Sequence, residues 1–267
     1  MLRPSTTAEY QDHGFSESVR PALARTLPRL SVVVPVFNER DNIASLISEI
    51  VAGLQGGPEF EIIYVDDHST DDGLEVLNSL KKEVRQLRVL RHATQSGQST
   101  AIRNGVKAAR ADWVITLDGD GQNDPADIPK LIAARDDIAN RGVQLLMGNR
   151  KASRKDSAFR KLQSSIANGV RGGLLGDDTP DTGCGIKLFS RDVFLELPRF
   201  DHMHRFLPAL FQRQGASVIS VPVGHRPRTR GTSKYGMLNR LWVGIVDIAG
   251  VMWLRRRYKS GLLVRED

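Results

Sequence analysis

The chain has one cysteine, Cys184, in 267 residues. A lone thiol excludes an internal disulfide framework and leads us to expect a reducing compartment. Aromatics are scarce, at 6%, and no basic strand is studded with them, which argues against a platform for single-stranded nucleic acid. No window reaches the roughly 18 uninterrupted apolar residues of a membrane-spanning helix. The first 28 residues are polar and mixed, lack the apolar core of a secretory signal, and read as a mobile tail. Two nucleotide signatures are also missing: neither G-x-G-x-x-G nor G-x-x-x-x-G-K-[ST] follows the first strand. Histidines at zinc-ligand spacing are absent, so His68, His92 and His225 read as surface or hydrogen-bonding residues. Cys184 reads as packed rather than nucleophilic.

What is present describes one large globular domain with an appendage. Hydrophobic residues make up 40% and charged residues 26%, ordinary values for a chain with a sizeable core. The formal charge of +7 favours anionic partners, namely phosphates, nucleic acid or an acidic membrane surface.

Leu30–Val36 is a near-continuous apolar run, as expected of a strand buried on both faces of a parallel sheet. A helical pattern follows in Ile43, Leu46, Ile47, Ile50 and Val51, with Asp41 or Asn42 as its expected cap. Strand signals recur at Phe60–Val65, Leu87–Leu90 and Asp112–Leu117, each preceded by a helical pattern. This alternation predicts an α/β fold with a mixed, mainly parallel sheet flanked by helices. Ligand-handling groups then belong at the carboxyl ends of the strands, near the point where the strand order reverses. Polar residues fall there: Asn38 and Glu39 after the first strand, Asp66 and Asp67 after the second, and Asp118 and Asp120 after the fourth.

The fourth strand runs into Asp118-Gly119-Asp120-Gly121-Gln122. Two carboxylates and an amide at the end of a buried strand suit a hard divalent cation, Mg²⁺ or Mn²⁺. Gly119 and Gly121 let an anionic ligand approach the backbone. The Gly97-Gln98-Ser99-Thr100 turn opens a helix and reads equally as a plain helix start or an anion site.

Past Pro125 the alternation loosens. A helix is expected over Asp127–Ala139, strands over Val143–Met147, Ile186–Phe189 and Ser217–Val223, and a helix over His204–Gln214. A loop then holds Arg226, Arg228, Arg230 and Lys234 beside Gly231 and Ser233. Repeated cationic donors in such a loop suit clamping of phosphates. Met237–Leu254 is apolar, too short and polar to span a bilayer, and followed by Arg255–Arg257. It reads as a core helix or as an amphipathic helix in a membrane interface.

These motifs together resemble family 2 glycosyltransferases of the GT-A fold, from about Leu30 to Tyr235. The resemblance is carried by Val34–Glu39, Val65–Gly73, Asp118–Gln122 and Arg228–Lys234. Within that family the likeness is to dolichol-phosphate mannose synthases and their bacterial polyprenyl-phosphate relatives, through Asp181–Gly185, His204–Leu210 and Arg228–Lys234. It departs at Phe37, where many relatives carry tyrosine.

The resemblance implies a GT-A domain over 29–235, preceded by the tail 1–28 and followed by a membrane-proximal segment 236–267. It implies that Pro35, Phe37 and Glu39 line the nucleotide pocket, with Val65 and Asp67 at base and ribose. Asp118, Gly119, Asp120 and Gln122 would face the donor diphosphate, with Asp118, Asp120 and Gln122 on its divalent metal. Arg150, Arg228 and Lys234 would meet substrate phosphates, and Asp118, Asp120, Arg228 and Lys234 would carry the chemistry. The implied reaction is an inverting transfer from a GDP- or UDP-sugar to a polyprenyl monophosphate, on the cytoplasmic face of a membrane. A phosphate acceptor is already anionic near neutral pH and needs little help from a general base. Three other readings stay open: a soluble or glycan acceptor, a sugar-nucleotide pyrophosphorylase, and a basic peripheral membrane adaptor. The adaptor leaves the acidic strand ends unexplained. The pyrophosphorylase wants a basic glycine-rich loop where Phe37-Asn38-Glu39 stands.

Overall fold

A computed structural model describes residues 27–137, 142–150, 172–177, 179–227 and 237–258. Its seven strands are β1 (Leu30–Val36), β2 (Phe60–Asp66), β3 (Leu87–Arg91), β4 (Trp113–Thr116), β5 (Val143–Asn149), β6 (Lys187–Ser190) and β7 (Ser217–Pro222). The helices are α1 (Arg40–Gly53), α2 (Gly73–Glu83), α3 (Gln98–Ala108), α4 (Ile128–Asp137), α5 (Arg191–Leu195), α6 (Leu207–Arg213) and α7 (Met237–Arg257).

The strands form one sheet in the order β3-β2-β1-β4-β6-β5-β7. β1 pairs in parallel with both β2 and β4, so the order reverses between them and a crevice opens at their carboxyl ends. β6 is antiparallel to both β4 and β5. That reversal places the start of β6, not its end, at the same edge as the carboxyl ends of β4 and β5.

Every residue of β1 is buried, as its apolar run requires of a central strand. Alternate side chains feed two cores. Val32, Val34 and Val36 join Ile43, Leu46, Leu77, Ile128 and Leu131 on the α1, α2 and α4 side. Val33 joins Ala101, Ile102, Val106, Phe194, Leu210 and Phe211 on the α3, α5 and α6 side. Each fully buried aliphatic contributes about 1.5–3 kcal/mol, so a charge at Val33 would break the sandwich where it is thickest. Gly105 of α3 lies directly on that strand, and a Cβ there would collide with Val33 Cγ1. This close approach brings the first turn of α3 to the crevice.

Several expectations are corrected. α1 starts at Arg40 with Glu39 at its N-cap, so Asp41 and Asn42 lie inside the first turn. Asn42 Nδ2 instead donates to Glu39 Oε2 at 2.8 Å. The helix expected from Asp127 is α4, entered through a 3-10 turn, Pro125–Asp127. The helix expected over His204–Gln214 splits into a 3-10 turn, Met203–Arg205, and α6. α7 packs one side on the domain and leaves apolar residues outside it. Val251 is fully buried against the second core, while Ile245, Val246 and Trp253 are exposed. Among the described residues no helix is long and apolar enough to cross a membrane. Residues 1–26 and 228–236, which hold most of the expected tail and the Arg228, Arg230 and Lys234 loop, lie outside the described residues.

Candidate active site

The loops after β1 and β2 are sewn together by side chains from both. Asn38 takes the left-handed conformation (φ 53°), where asparagine is among the better-tolerated residues. Its Oδ1 accepts from Thr70 N at 2.7 Å, and its own N–H donates to Ser69 Oγ at 2.9 Å. Asp71 Oδ2 accepts from Arg40 N at 3.0 Å, and Asp66 Oδ1 accepts from Ser69 N at 3.1 Å. The acidic run after β2 therefore builds the crevice wall.

Asp67 is buried and its carboxylate is already engaged. Oδ1 accepts from Ser96 N at 2.7 Å and Oδ2 from Gly97 N at 2.9 Å. His92 Nδ1 lies 2.6 Å from Asp67 Oδ1, and Asn104 Nδ2 donates to His92 Nε2, which leaves the ring proton on Nδ1. Asp67 thus fixes the turn that opens α3, with Gly97 at φ 85° as its N-cap. Val65 is corrected outright. Its side chain is fully buried in the second core beneath α3, so it offers no surface to a nucleotide. Pro35 is also buried, while Phe37 and Glu39 are half-exposed on the crevice rim.

Asp118 and Asp120 stand at the end of β4. Asp118 N donates to Asn123 Oδ1 at 3.1 Å, and Gln98 Nε2 donates to Asp118 Oδ1 at 2.9 Å. Asp120 Oδ1 accepts from Gln122 N at 3.1 Å. Burial pushes the Asp118 carboxyl up, and the charge of Asp120 pushes it further. Lys187, Arg150 and the Gln98 hydrogen bond pull the other way. Gly185 packs against the Asp118 carboxylate, and a Cβ there would overlap both Asp118 Oδ2 and Asn123 Oδ1.

The far side of the crevice comes from β5, β6 and the segment after β7. Arg150 is buried and forms a two-pronged pair with Asp181, Nε to Oδ2 at 2.8 Å and Nη2 to Oδ1 at 3.0 Å. Lys187, opposite Thr116 in the β4–β6 register, donates to the Cys184 carbonyl. His204 reaches the first turn of α3, with Nδ1 2.7 Å from Ser99 Oγ. Burial, then the charges of Lys187 and Arg205, push its imidazole well below the usual range, so it is neutral. Arg226, expected among the phosphate-clamping cations, is instead spent within the protein. It pairs with Glu49, and with Asp124 at 2.7 Å, and its N–H donates to Gln122 O at 3.1 Å. The segment entering the basic loop is thereby pinned to the Asp118–Asp124 turn.

Among the described residues no cluster of three or more His, Cys, Asp or Glu side chains is suited to a metal. Two adjacent carboxylates in a polar crevice nevertheless match the way Mg²⁺ is held, by one or two carboxylates together with substrate phosphates and water. The mutual repulsion of Asp118 and Asp120 fits the same group. Sequence reasoning missed the place of Lys187, whose one signal is a cation set within the apolar strand Ile186–Phe189; Gln98 entered it only within the candidate anion turn, and Gly185 and His204 only within the motifs that carry the resemblance.

A crevice at the strand-order reversal, floored by paired carboxylates and walled by cations, belongs to enzymes that handle nucleotide diphosphates. The fold is that of GT-A glycosyltransferases. Glucosyl-3-phosphoglycerate synthase from Mycobacterium tuberculosis, solved with Mg²⁺ and uridine diphosphate, superposes with a TM-score of 0.62 at 21% identity. The match covers 85% of this chain and 79% of that one. The model for Glycosyl transferase family 2 matches residues 31–197, and the chain belongs to that family. The dodecaprenyl-phosphate galacturonate synthase of Rhizobium johnstonii is 36% identical over 238 residues, covering 86% of this chain and 68% of that protein. An undecaprenyl-phosphate 4-deoxy-4-formamido-L-arabinose transferase of Edwardsiella ictaluri is 33% identical over 217 residues, covering 80% and 65%. The chain thus spans about two thirds of the length of these curated relatives.

Proposed function

We propose that this glycosyltransferase moves a sugar from a UDP- or GDP-sugar to a polyprenyl monophosphate with inversion at the anomeric carbon. The observation that carries the reading is the Asp118–Asp120 pair in the crevice beside β1, in a chain whose relatives are named for polyprenyl-phosphate products. An acceptor phosphate oxygen attacks the anomeric carbon, the bond to the donor's β-phosphate oxygen breaks, and the nucleoside diphosphate leaves. The acceptor is an anion near neutral pH, so the protein's work is to hold two anions together and stabilise the leaving group.

In this reading Asp118, Asp120 and Gln122 hold Mg²⁺ or Mn²⁺, which supplies Lewis-acid charge to the departing diphosphate. Phe37 and Glu39 border the nucleotide, and the buried Pro35 shapes the strand end that carries them. Asp67 serves it by holding the Ser96–Gly97 turn in place. Arg150, oriented by Asp181, and Arg228 and Lys234 serve the phosphates. The protein works as a peripheral enzyme on the cytoplasmic face of an anionic membrane. The exposed Ile245, Val246 and Trp253 support this, together with the exposed Arg256 and Arg257 near the end of the same helix.

The test is Asp120→Asn, which removes a charge at nearly constant size. Transfer should fall at least about a hundredfold while thermal unfolding stays near that of the parent. Parent-level transfer by this variant in the presence of EDTA contradicts the reading.

A further inference from the structure

Lys187 is 5% exposed, yet its ammonium makes a single hydrogen bond among the described residues, to the neutral Cys184 carbonyl. No described carboxylate lies within ion-pair distance of it. An ammonium has three donors, and a buried charge without a paired counterion is costly. Lys187 opens β6 opposite Thr116, the last residue of β4 and two residues before Asp118, so the reversed strand brings it to the crevice edge. The charges of Asp118, Arg150 and Asp181 all act on Lys187, and Lys187 in turn acts on His204.

Lys187 therefore has donors to spare at the edge of the crevice that holds Asp118.

We infer that Lys187 is a binding residue that donates to a phosphate oxygen of a substrate, at a subsite between Asp118 and His204. The inference rests on the glycosyl-transfer reading above. The phosphate comes either from the donor's diphosphate or from the acceptor's monophosphate, and the two sources separate experimentally.

The experiment compares the full-length protein with Lys187→Met, which keeps the length of the chain and removes the charge, and with Lys187→Arg, which keeps the charge. Calorimetry with Mn²⁺ present measures affinity for UDP and GDP, and separately for farnesyl phosphate in detergent. Lys187→Met should unfold at a temperature no lower than the parent, because a buried charge has been replaced by an apolar group. It should lose about tenfold or more in affinity for one class of probe, with Lys187→Arg losing less. Loss toward the diphosphates assigns the donor, and loss toward farnesyl phosphate assigns the acceptor. Unchanged affinity for both overturns the inference and leaves the glycosyl-transfer reading standing. If the parent itself binds neither class, that reading falls and takes the inference with it. Should Lys187→Met fail to fold, the Nζ resonance of Lys187 in ¹⁵N-lysine-labelled parent protein answers the same question. A shift on saturation with one class of probe supports the subsite, and no shift with either overturns it.

Discussion

Gln98 Nε2 stands 2.9 Å from Asp118 Oδ1, so the first turn of α3 holds a carboxylate that belongs to the end of β4. The link is indirect evidence of what the crevice is for. Asp67 fixes the turn before α3, Gly105 lets α3 lie on β1, and Gln98 then orients the Asp118 side chain.

Gln98→Ala should therefore loosen Asp118 without loosening the fold. Gln98 is exposed, so its truncation should change stability by no more than about 0.5 kcal/mol. Affinity for Mn²⁺ in the presence of UDP should fall about tenfold, the scale of losing a group that orients a metal ligand. Titration by electron paramagnetic resonance checks this, and an unchanged affinity contradicts it.

Gly185→Ala should act on the same carboxylate from the other side. The added methyl competes for the space of Asp118 Oδ2 and Asn123 Oδ1. Displacing a reacting group by about 1 Å costs on the order of a hundredfold in turnover, and overpacking costs about 1–3 kcal/mol of stability. A folded Gly185→Ala protein with parental turnover would show that Asp118 is not needed where it stands.

Much of this frame is legible in the sequence. Strands buried on both faces read as near-continuous apolar runs, so Leu30–Val36 and Phe60–Val65, broken only at Ser31 and Glu61, announce a parallel sheet and locate its carboxyl edge. Asp118 and Asp120 are visible for the same reason, as acids that end such a run. Contacts across the sheet leave no such mark. Nothing in Lys187–Ser190 says that the strand runs backwards, and only that reversal carries Lys187 to the crevice. Val65 looks like a site residue because it precedes Asp66 and Asp67, but alternation points its side chain beneath α3. Arg226 looks like a clamp because it opens a basic run, yet Glu49, distant in sequence, neutralises it.

The outer face of α7 gives a prediction of a different kind. Reversing the charge of Arg256 and Arg257, both exposed, should weaken sedimentation with anionic liposomes, since each basic residue near such a surface adds about 1 kcal/mol. Salt should weaken the parent's binding in the same direction. Nucleotide affinity should stay at the parental value. Equal sedimentation of parent and variant at low salt would make this face something other than a membrane contact.

The acceptor decides what this enzyme makes, and one assay addresses it directly. Purified protein is incubated with radiolabelled UDP- and GDP-sugars, Mn²⁺ and undecaprenyl phosphate, and the organic phase is counted with and without EDTA. The account predicts a metal-dependent, organic-soluble product in which the sugar is joined to the lipid through a single phosphate. Label that stays entirely in the aqueous phase with every donor, or a lipid product that forms equally well in EDTA, would contradict it.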